Sequence, residues 1–154
     1  MICVIIGILG MAFLGKRAGQ YRAVLLETES ARAYELAMAG LESVRVKLNK
    51  DLSFPPVGEA DQDVYSYTES VYDLDGTTLL GSYEVAVDST WCGVDSPYRV
   101  LRVRVTGNAM AASQVTASRE LLAEFDMRPG IPGPPPGPNP NYTKIINLQD
   151  SGSL

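Results

Sequence analysis

The stretch ARAYELAMAGLESVRVKL, residues 31–48, decides the fold, because its apolar residues recur every three or four positions. This spacing places them on one stripe of an α-helix, with the charged residues mostly on the other side. The stripe consists of Ala33, Leu36, Ala37, Gly40, Leu41, Val44 and Leu48. We therefore expect an amphipathic helix that packs this stripe against the rest of the protein.

The helical pattern extends beyond this stretch in both directions and covers residues 1–52. No proline occurs before Pro55, and the pair Pro55-Pro56 would end the helix, since proline lacks the backbone N–H and disfavours helix in the residue before it. A helix over residues 1–51 would be about 77 Å long. One small domain cannot cover such a rod, so we expect half of it to be buried in lipid or against copies of the chain.

The chain begins with MICVIIGILGMAFLG, residues 1–15, an uncharged segment that ends at Lys16 and Arg17. Such a helical segment rises about 22 Å against a hydrocarbon core of about 30 Å, which is short for a spanning helix. No positive charge precedes it, and the charges behind it would hold the downstream part in the cytoplasm. As written it is an awkward membrane anchor, which suggests that further residues belong in front of it.

Residues 53–127 change to the period-two alternation of half-buried strands. Alternation is clear in SYEVAVDS (82–89), RVLRVRVTG (99–107) and QVTASRELLAEF (114–125), and weaker in VYSYTESVYDL (64–74). In the third of these we expect one face to carry Val115, Ala117, Leu121, Ala123 and Phe125. Asp75-Gly76 is a hairpin signal, and the short connections favour antiparallel pairing. The sequence predicts an α+β fold, a long N-terminal helix packed on a four-stranded antiparallel sheet.

Residues 128–154 form a tail of different composition. The segment RPGIPGPPPGPNP, residues 128–140, holds seven of the ten prolines, so we expect extended polyproline-like chain that joins neither helix nor sheet. NYTKIINLQDSGSL follows, with a small β-prone patch at Ile145-Ile146. The tail is either a disordered end or an arm that lies on a neighbouring subunit.

Composition argues against several classes of function. Residues 53–127 carry four basic and twelve acidic side chains, which disfavours nucleic-acid binding. The chain has no histidine, the usual general base and a common metal ligand. We find no catalytic, cofactor or metal site, and the weak calcium-loop pattern at residues 73–76 is better explained as a turn. Cys3 and Cys92 stand in such different surroundings that we expect no disulfide.

The order of these segments resembles the type IV pilins and the type II secretion pseudopilins. VIIGILGMAFLG, residues 4–15, looks like the apolar start typical of the family, and ARAYELAMAGLE, residues 31–42, is similar to an element of one minor-pilin branch. YRVLRVRVTGNAMAASQVTASREL, residues 98–121, has the shape of that branch's last hairpin: a strand, a glycine, a small-residue turn and a return strand. The resemblance covers most of residues 1–127 and excludes the tail. It implies a pilin-like fold.

One position departs from the family pattern. Members usually carry a glutamate at the fifth position of the mature chain, where this sequence has Ile5. Either Met1 is the mature first residue of a member that lacks the acid, or the chain starts late by about seven residues that would hold the glutamate and the cleavage site. With the late start the apolar span reaches about 22 residues, or about 33 Å, enough for a bilayer.

The resemblance implies a filament subunit that rests in the bacterial inner membrane before assembly. Its partners would be copies of itself, other pilins and assembly-platform proteins, and its final place an extracellular filament or a periplasmic pseudopilus. The segment entering membrane and filament core would comprise Ile5, Ile6, Gly7, Ile8, Leu9, Gly10, Met11, Phe13, Leu14 and Gly15.

Charged residues follow this segment. Lys16, Arg17 and Arg22 would contact Glu27 and Glu29 of adjacent subunits, or else form a basic collar at the lipid headgroups. Two alternatives to a pilus subunit stay open: a type II secretion pseudopilin, and a membrane-tethered binding domain that does not polymerise.

Overall fold

The computed structural model consists of one long helix and an antiparallel sheet. It describes residues 2–50, 54, 64–92, 99–111, 114–128, 130–131 and 137–153, without the side chains of residues 2–10, 12, 131 and 153. Helix α1 spans Ile2–Lys50, which confirms the predicted helix over this range and gives it a length of about 73 Å.

The apolar stripe of the helix is confirmed as the face that packs on the sheet. Every one of its predicted members is buried: Ala33, Leu36, Ala37, Gly40, Leu41, Val44 and Leu48. Those from Ala37 to Leu48 join the inward-facing residues of the sheet in the main core, among which Phe125 and Leu101 are fully buried. Ala33 and Leu36 form a second, smaller cluster with Ala109. Because removal of this apolar surface from water is the main driving force for folding, the stripe fixes the helix on the sheet.

Within the described ranges five strands form the sheet, in the order β1-β2-β3-β4-β7, and all neighbours are antiparallel. Their bounds are Val64–Tyr72 for β1, Leu79–Asp88 for β2, Val100–Ala111 for β3, Gln114–Asp126 for β4 and Ile145–Ser153 for β7. Gly130–Ile131 (β5) and Gly137–Pro138 (β6) form a separate two-stranded ribbon. The α+β class and the antiparallel sheet are confirmed, whereas the expected count of four strands is wrong by one.

The additional strand comes from the tail, which does not end as free extended chain. β7 pairs with β4 along most of its length, so the β-prone patch at Ile145-Ile146 begins a strand of the subunit's own sheet. Residues 145–153 are therefore neither a disordered end nor an arm on a neighbouring subunit, the two alternatives that the sequence left open.

Alternation between the two faces of the sheet is confirmed, with one exception. On β2, β3 and β4 the expected apolar residues face the helix, for example Val85, Val103 and Leu121. Val115 was expected on this face but is 55% exposed, because the pairing of β3 with β4 shifts by one residue between Ala109 and Met110. A one-residue shift moves every later side chain to the other face.

The hairpins between the first four strands also differ in how well the sequence predicts them. The β1–β2 turn is where Asp75-Gly76 indicated: Gly76 has a positive φ of 69°, and the Asp75 carboxylate accepts hydrogen bonds from the amides of Thr77 and Thr78. The β3–β4 hairpin comes later than expected. β3 continues through Gly107 as far as Ala111, so this glycine lies inside a strand and does not end it.

A cluster around Asp126 attaches the tail to the end of β4. The buried Asp126 carboxylate accepts hydrogen bonds from the Arg128 guanidinium at 2.7 and 2.9 Å and from the Asn139 amide at 3.0 Å. Thr143 donates its amide to the Asp126 carbonyl at 2.8 Å and its hydroxyl to Asn49 near the helix end at 3.3 Å. Its φ of 62° is unusual for a β-branched residue, so these bonds hold the chain in a strained turn just before β7.

Candidate assembly surface on the helix

The helix leaves the sheet at Glu29 and Ser30, where two side chains of β4 hold it. Thr116 donates its hydroxyl to the Glu29 carboxylate at 2.6 Å, and Arg119 donates from Nη1 to the Ser30 hydroxyl at 3.1 Å. Every described side chain from Met11 to Thr28 is exposed. About 27 Å of helix therefore projects from the sheet with all of its described side chains exposed.

The projecting part of the helix is rich in exposed apolar side chains. Each is between 59% and 82% exposed: Met11, Phe13, Leu14, Tyr21, Val24, Leu25 and Leu26. Scattered apolar residues are ordinary on a protein surface, but a contiguous set of this size marks an interaction site. We call residues 11–28 the projecting segment.

Part of the expected filament-core set lies outside the described side chains. The backbone of Ile5, Ile6, Gly7, Ile8, Leu9 and Gly10 belongs to α1, and their side chains are not described. Met11, Phe13, Leu14 and Gly15 are described and exposed. Gly15 and Gly19 have open space around their Cα atoms, so neither glycine is required by a close contact within the subunit.

Four of the five charged residues expected at subunit contacts project into solvent. Lys16, Arg17 and Arg22 are exposed, as is Glu27, and the Arg17 guanidinium lies 5.2 Å from the centre of the Phe13 ring. Glu29 differs, because its carboxylate is taken by Thr116 of the same chain and only 17% of its side chain is exposed.

A polar network that the sequence does not indicate fixes the other end of the helix. Lys47 on α1 donates from Nζ to Glu69 Oε1 on β1 at 2.7 Å, and the Tyr83 hydroxyl on β2 donates to Glu69 Oε2 in a short bond. The ammonium of Lys47 also lies 3.4 Å from the centre of the Tyr67 ring. The network joins the helix to both β1 and β2.

The charges of this network shift the pKa values of its members. The bond from Lys47, followed by that from Tyr83, lowers the pKa of Glu69 below its usual value. Burial opposes the charged form of Lys47, but its bonds to Glu69 and Tyr67 outweigh that effect and raise its pKa. Burial, together with the bond to Glu69, raises the pKa of Tyr83. These groups hold one another in the charged and hydrogen-bonded states that attach the helix.

The sheet face away from the helix carries a shallow groove of about 450 Å³. Two of its charged side chains, Arg102 and Glu124, pair with each other at 3.1 Å, and a third, Arg104, lies 3.8 Å from Glu120. Within the described ranges, no group of acidic, histidine or cysteine side chains is arranged to hold a metal ion. Burial raises the pKa of the Cys92 thiol to about 11, and Cys92 forms no disulfide with any described residue. The side chain of Cys3 lies outside the description.

Comparison with known proteins identifies no relative. A scan against protein-family models, a search of curated proteins and a search of solved structures each returned no match. In the portion of the chain that is described, no helix has the length and hydropathy needed to span a lipid bilayer.

Proposed function

We propose that this chain is a structural subunit of a type IV pilus-like filament that polymerises through the N-terminal part of its helix. The observation that carries the proposal is the division of α1 into two halves. Residues 33–48 bury one face on the sheet, while every described side chain of residues 11–28 is exposed, including the large apolar ones. The described side chains of residues 11–28 are not buried within the subunit, so this N-terminal part of the helix needs a partner.

The energetics favour association of the projecting segments. Burial of one large apolar side chain contributes about 1.5–3 kcal/mol, and each subunit offers seven such residues between Met11 and Leu26. Association costs about 4–15 kcal/mol in lost freedom of movement. Full burial of all seven against neighbouring helices would contribute about 10–20 kcal/mol, which exceeds all but the upper part of that cost and favours an assembly.

The form of the assembly follows from the shape of the subunit. Rods that pack side by side with an axial offset make a head-to-tail contact, which produces an open helical filament when the rotation does not close a ring. Small residues let helices approach closely, and Gly15 and Gly19 leave room for such contacts.

Charged residues would set the offset between rods. Glu27 remains available to Lys16, Arg17 or Arg22 of an adjacent subunit, whereas Glu29 is engaged by Thr116 of its own sheet. Arg17 and Glu27 are ten residues apart in the sequence, or about 15 Å along a helix. We therefore assign the acidic side of this contact to Glu27 alone.

Before assembly, the apolar start of the chain rests in the bacterial inner membrane, with the acidic sheet domain outside the cytoplasm. The finished filament is extracellular, and its other partners are further pilins and the assembly platform. These parts of the proposal rest on the resemblance of residues 1–127 to pilins.

An exchange of apolar for charged residues in the full-length chain tests the proposal. Leu25→Glu combined with Leu26→Glu places two charges where the proposal needs apolar contact, and we expect loss of sedimentable filaments on removal of detergent. Leu74→Glu is the matched control, since Leu74 is fully exposed in the β1–β2 turn and lies outside the projecting segment. Equal filament formation by both variants, with unchanged helix content by circular dichroism, would refute the proposal.

A further inference from the structure

The sheet ends on both sides in a strand with one unpaired edge. β1 pairs only with β2, and β7 only with β4. The helix packs on the strands between them, β2, β3 and β4. Among the described residues no chain pairs with the outer edge of either strand. Register is unbroken over Val64–Val71 of β1 and over Asn147–Asp150 of β7, so the regular rows of backbone donors and acceptors are about 26 Å and about 13 Å long.

These two edges lack some of the features with which soluble proteins block strand pairing, although the register shifts once between β1 and β2 and twice between β4 and β7. Exposed edges usually carry lysine, proline or inward-pointing charges that prevent another strand from adding. Neither β1 nor β7 contains lysine, arginine or proline. Glu69 on β1 does point toward the helix, but it is paired there with Lys47 at 2.7 Å, and Asp150 on β7 is paired with Arg119 at 2.6 Å.

The basic residues of the sheet instead lie on its interior strands. Arg102 and Arg104 stand on β3, and Arg119 on β4. The distribution is the reverse of the protective one, because the charges occupy strands that are already paired. Both edges are therefore able to accept a further strand.

Residues that pair side by side across the five strands form rows, and the two end residues of such a row, one on β1 and one on β7, are similar in character. One row runs from Tyr65 on β1 through Val87, Val103 and Ala123 to Leu148 on β7. Its interior members are buried, while Tyr65 and Leu148 are 39% and 42% exposed. Placing β7 of one subunit beside β1 of the next would bring Leu148 against Tyr65 and continue the apolar row.

The strand directions select this pairing over its alternatives. In an antiparallel sheet of five strands the first and last strands run the same way, so β1 and β7 are parallel to each other. Subunits of identical orientation can then join β7 to β1 as a parallel pair, and the contact repeats indefinitely. Pairing of β1 with β1, or of β7 with β7, needs a two-fold axis and closes after two copies.

We propose that β7 of one subunit pairs in parallel with β1 of a second copy of this chain, so that neighbouring sheets join edge to edge in the filament. This inference rests on the proposed filament function and adds a second contact between subunits, distant from the projecting helix. Ser66 on β1 and Gln149 on β7 stand at opposite ends of one row on the outer face, and both are exposed. Ser66 of one subunit and Gln149 of the next become neighbours where the two sheets meet, a contact that we call the joint.

Crosslinking in mixed filaments tests the pairing. In a background with Cys3→Ala and Cys92→Ala, one chain carries Ser66→Cys and one tag, and a second carries Gln149→Cys and a different tag. With a short thiol crosslinker we expect dimers that contain both tags. Same-tag dimers alone, or no dimers from filaments that form normally, would overturn the edge pairing and leave the filament function intact. If the background chain forms no filaments, the filament function fails and the inference fails with it.

A charge exchange at the same two positions gives a quantitative test. Ser66→Lys with Gln149→Lys opposes like charges at the joint, whereas Ser66→Lys with Gln149→Glu pairs them. We expect the subunit concentration left unassembled to be about fivefold higher for the like-charged variant, which corresponds to about 1 kcal/mol. Equal unassembled concentrations in two variants with the same circular dichroism spectrum would overturn the proposal.

Discussion

Gly107 on β3 lies directly against Ala33 on the helix, so closely that a Cβ atom on Gly107 would overlap the carbonyl oxygen of Ala33. The same added atom would also overlap the amide nitrogen of Ala37. Both obstacles are backbone atoms, which cannot move aside as a flexible side chain can. The helix and the sheet are in backbone contact at this point, and only glycine fits there.

Gly107→Ala should therefore destabilise the subunit. Overpacking of a tight interior costs about 1–3 kcal/mol, and we expect at least that loss in the free energy of unfolding, measured by denaturant titration of the full chain in mild detergent. Gly19→Ala is the control, since nothing lies near Gly19 and alanine favours helix by about 1 kcal/mol. If both substitutions have the same effect on stability, the contact is not as close as described.

The network around Glu69 should make stability depend on pH. The pKa of Glu69 is lowered in the folded state by the bonds from Lys47 and Tyr83, so the unfolded state binds more protons on acidification. The stabilisation is present above the pKa of the unfolded carboxyl, about 4.3 for an ordinary glutamate, and is lost as pH falls from there through the lower folded pKa. Melting temperatures across this range should fall less steeply for Glu69→Gln.

Glu84→Gln is the control for that experiment, because Glu84 is exposed on the neighbouring strand β2. We expect the pH profile of Glu84→Gln to follow that of the unsubstituted chain. Profiles for Glu69→Gln and Glu84→Gln that coincide with each other would contradict a stabilising role of the network.

The cluster around Asp126 should control the attachment of the tail. Hydrogen bonds from Arg128, the largest cause, and from Asn139 hold the pKa of Asp126 well below its usual range, so the carboxylate is charged wherever the fold is stable. Asp126→Asn removes its charge-assisted bonds, worth about 1.5–3 kcal/mol each. We expect β7 amides to lose protection from hydrogen exchange while those of β2 and β3 change much less.

The matched substitution is Asp73→Asn, which alters a carboxylate in the exposed β1–β2 turn. It should leave the exchange of β7 unchanged. Full protection of β7 in Asp126→Asn would show that the backbone ladder with β4 holds the strand without the cluster.

The bond between Thr116 and Glu29 should mark the point where the projecting segment begins. Thr116→Val removes the hydroxyl that holds Glu29, at a cost of about 1 kcal/mol. We expect faster hydrogen exchange at residues 29–33, with no change at residues 41–48. Val115→Thr, at a neighbouring exposed position, should have no such effect. Unchanged hydrogen exchange at residues 29–33 in Thr116→Val would show that the helix leaves the sheet at another point.

The helix and its buried stripe could be predicted from the sequence because burial on one face leaves a periodic pattern. All of residues 33–48 that the pattern assigned to the sheet are buried there. The same holds for β2 and β3, which are buried on one face only. In elements buried on one face, the sequence pattern alone therefore shows which side chains are buried.

β7 could not be predicted in this way because it is an edge strand with weak alternation. Ile146 and Leu148 are both about half exposed, and the pairing with β4 shifts register twice. Seven prolines between residues 128 and 140 also argue against structure nearby. What brings the strand back to β4 is the Asp126 cluster, whose members are separated in sequence.

The network around Glu69 and the close contact at Gly107 were missed for a related reason. Lys47 and Glu69 are 22 residues apart, and no local pattern connects them. In the sequence Gly107 indicates the end of a strand, since glycine is a common turn residue. Glycine is needed there because the helix backbone at Ala33, more than seventy residues earlier in the chain, packs against it. Contacts between elements require the assembled fold.

The central claim is that the projecting helix finds its burial among identical helices. The most direct test removes detergent from the intact 154-residue chain, of 16.6 kDa, and follows it by sedimentation velocity and electron microscopy. We predict rapidly sedimenting material that consists of regular filaments with the helices at the centre. A stable monomer, with the residues of the projecting segment protected by its own sheet, would contradict the account.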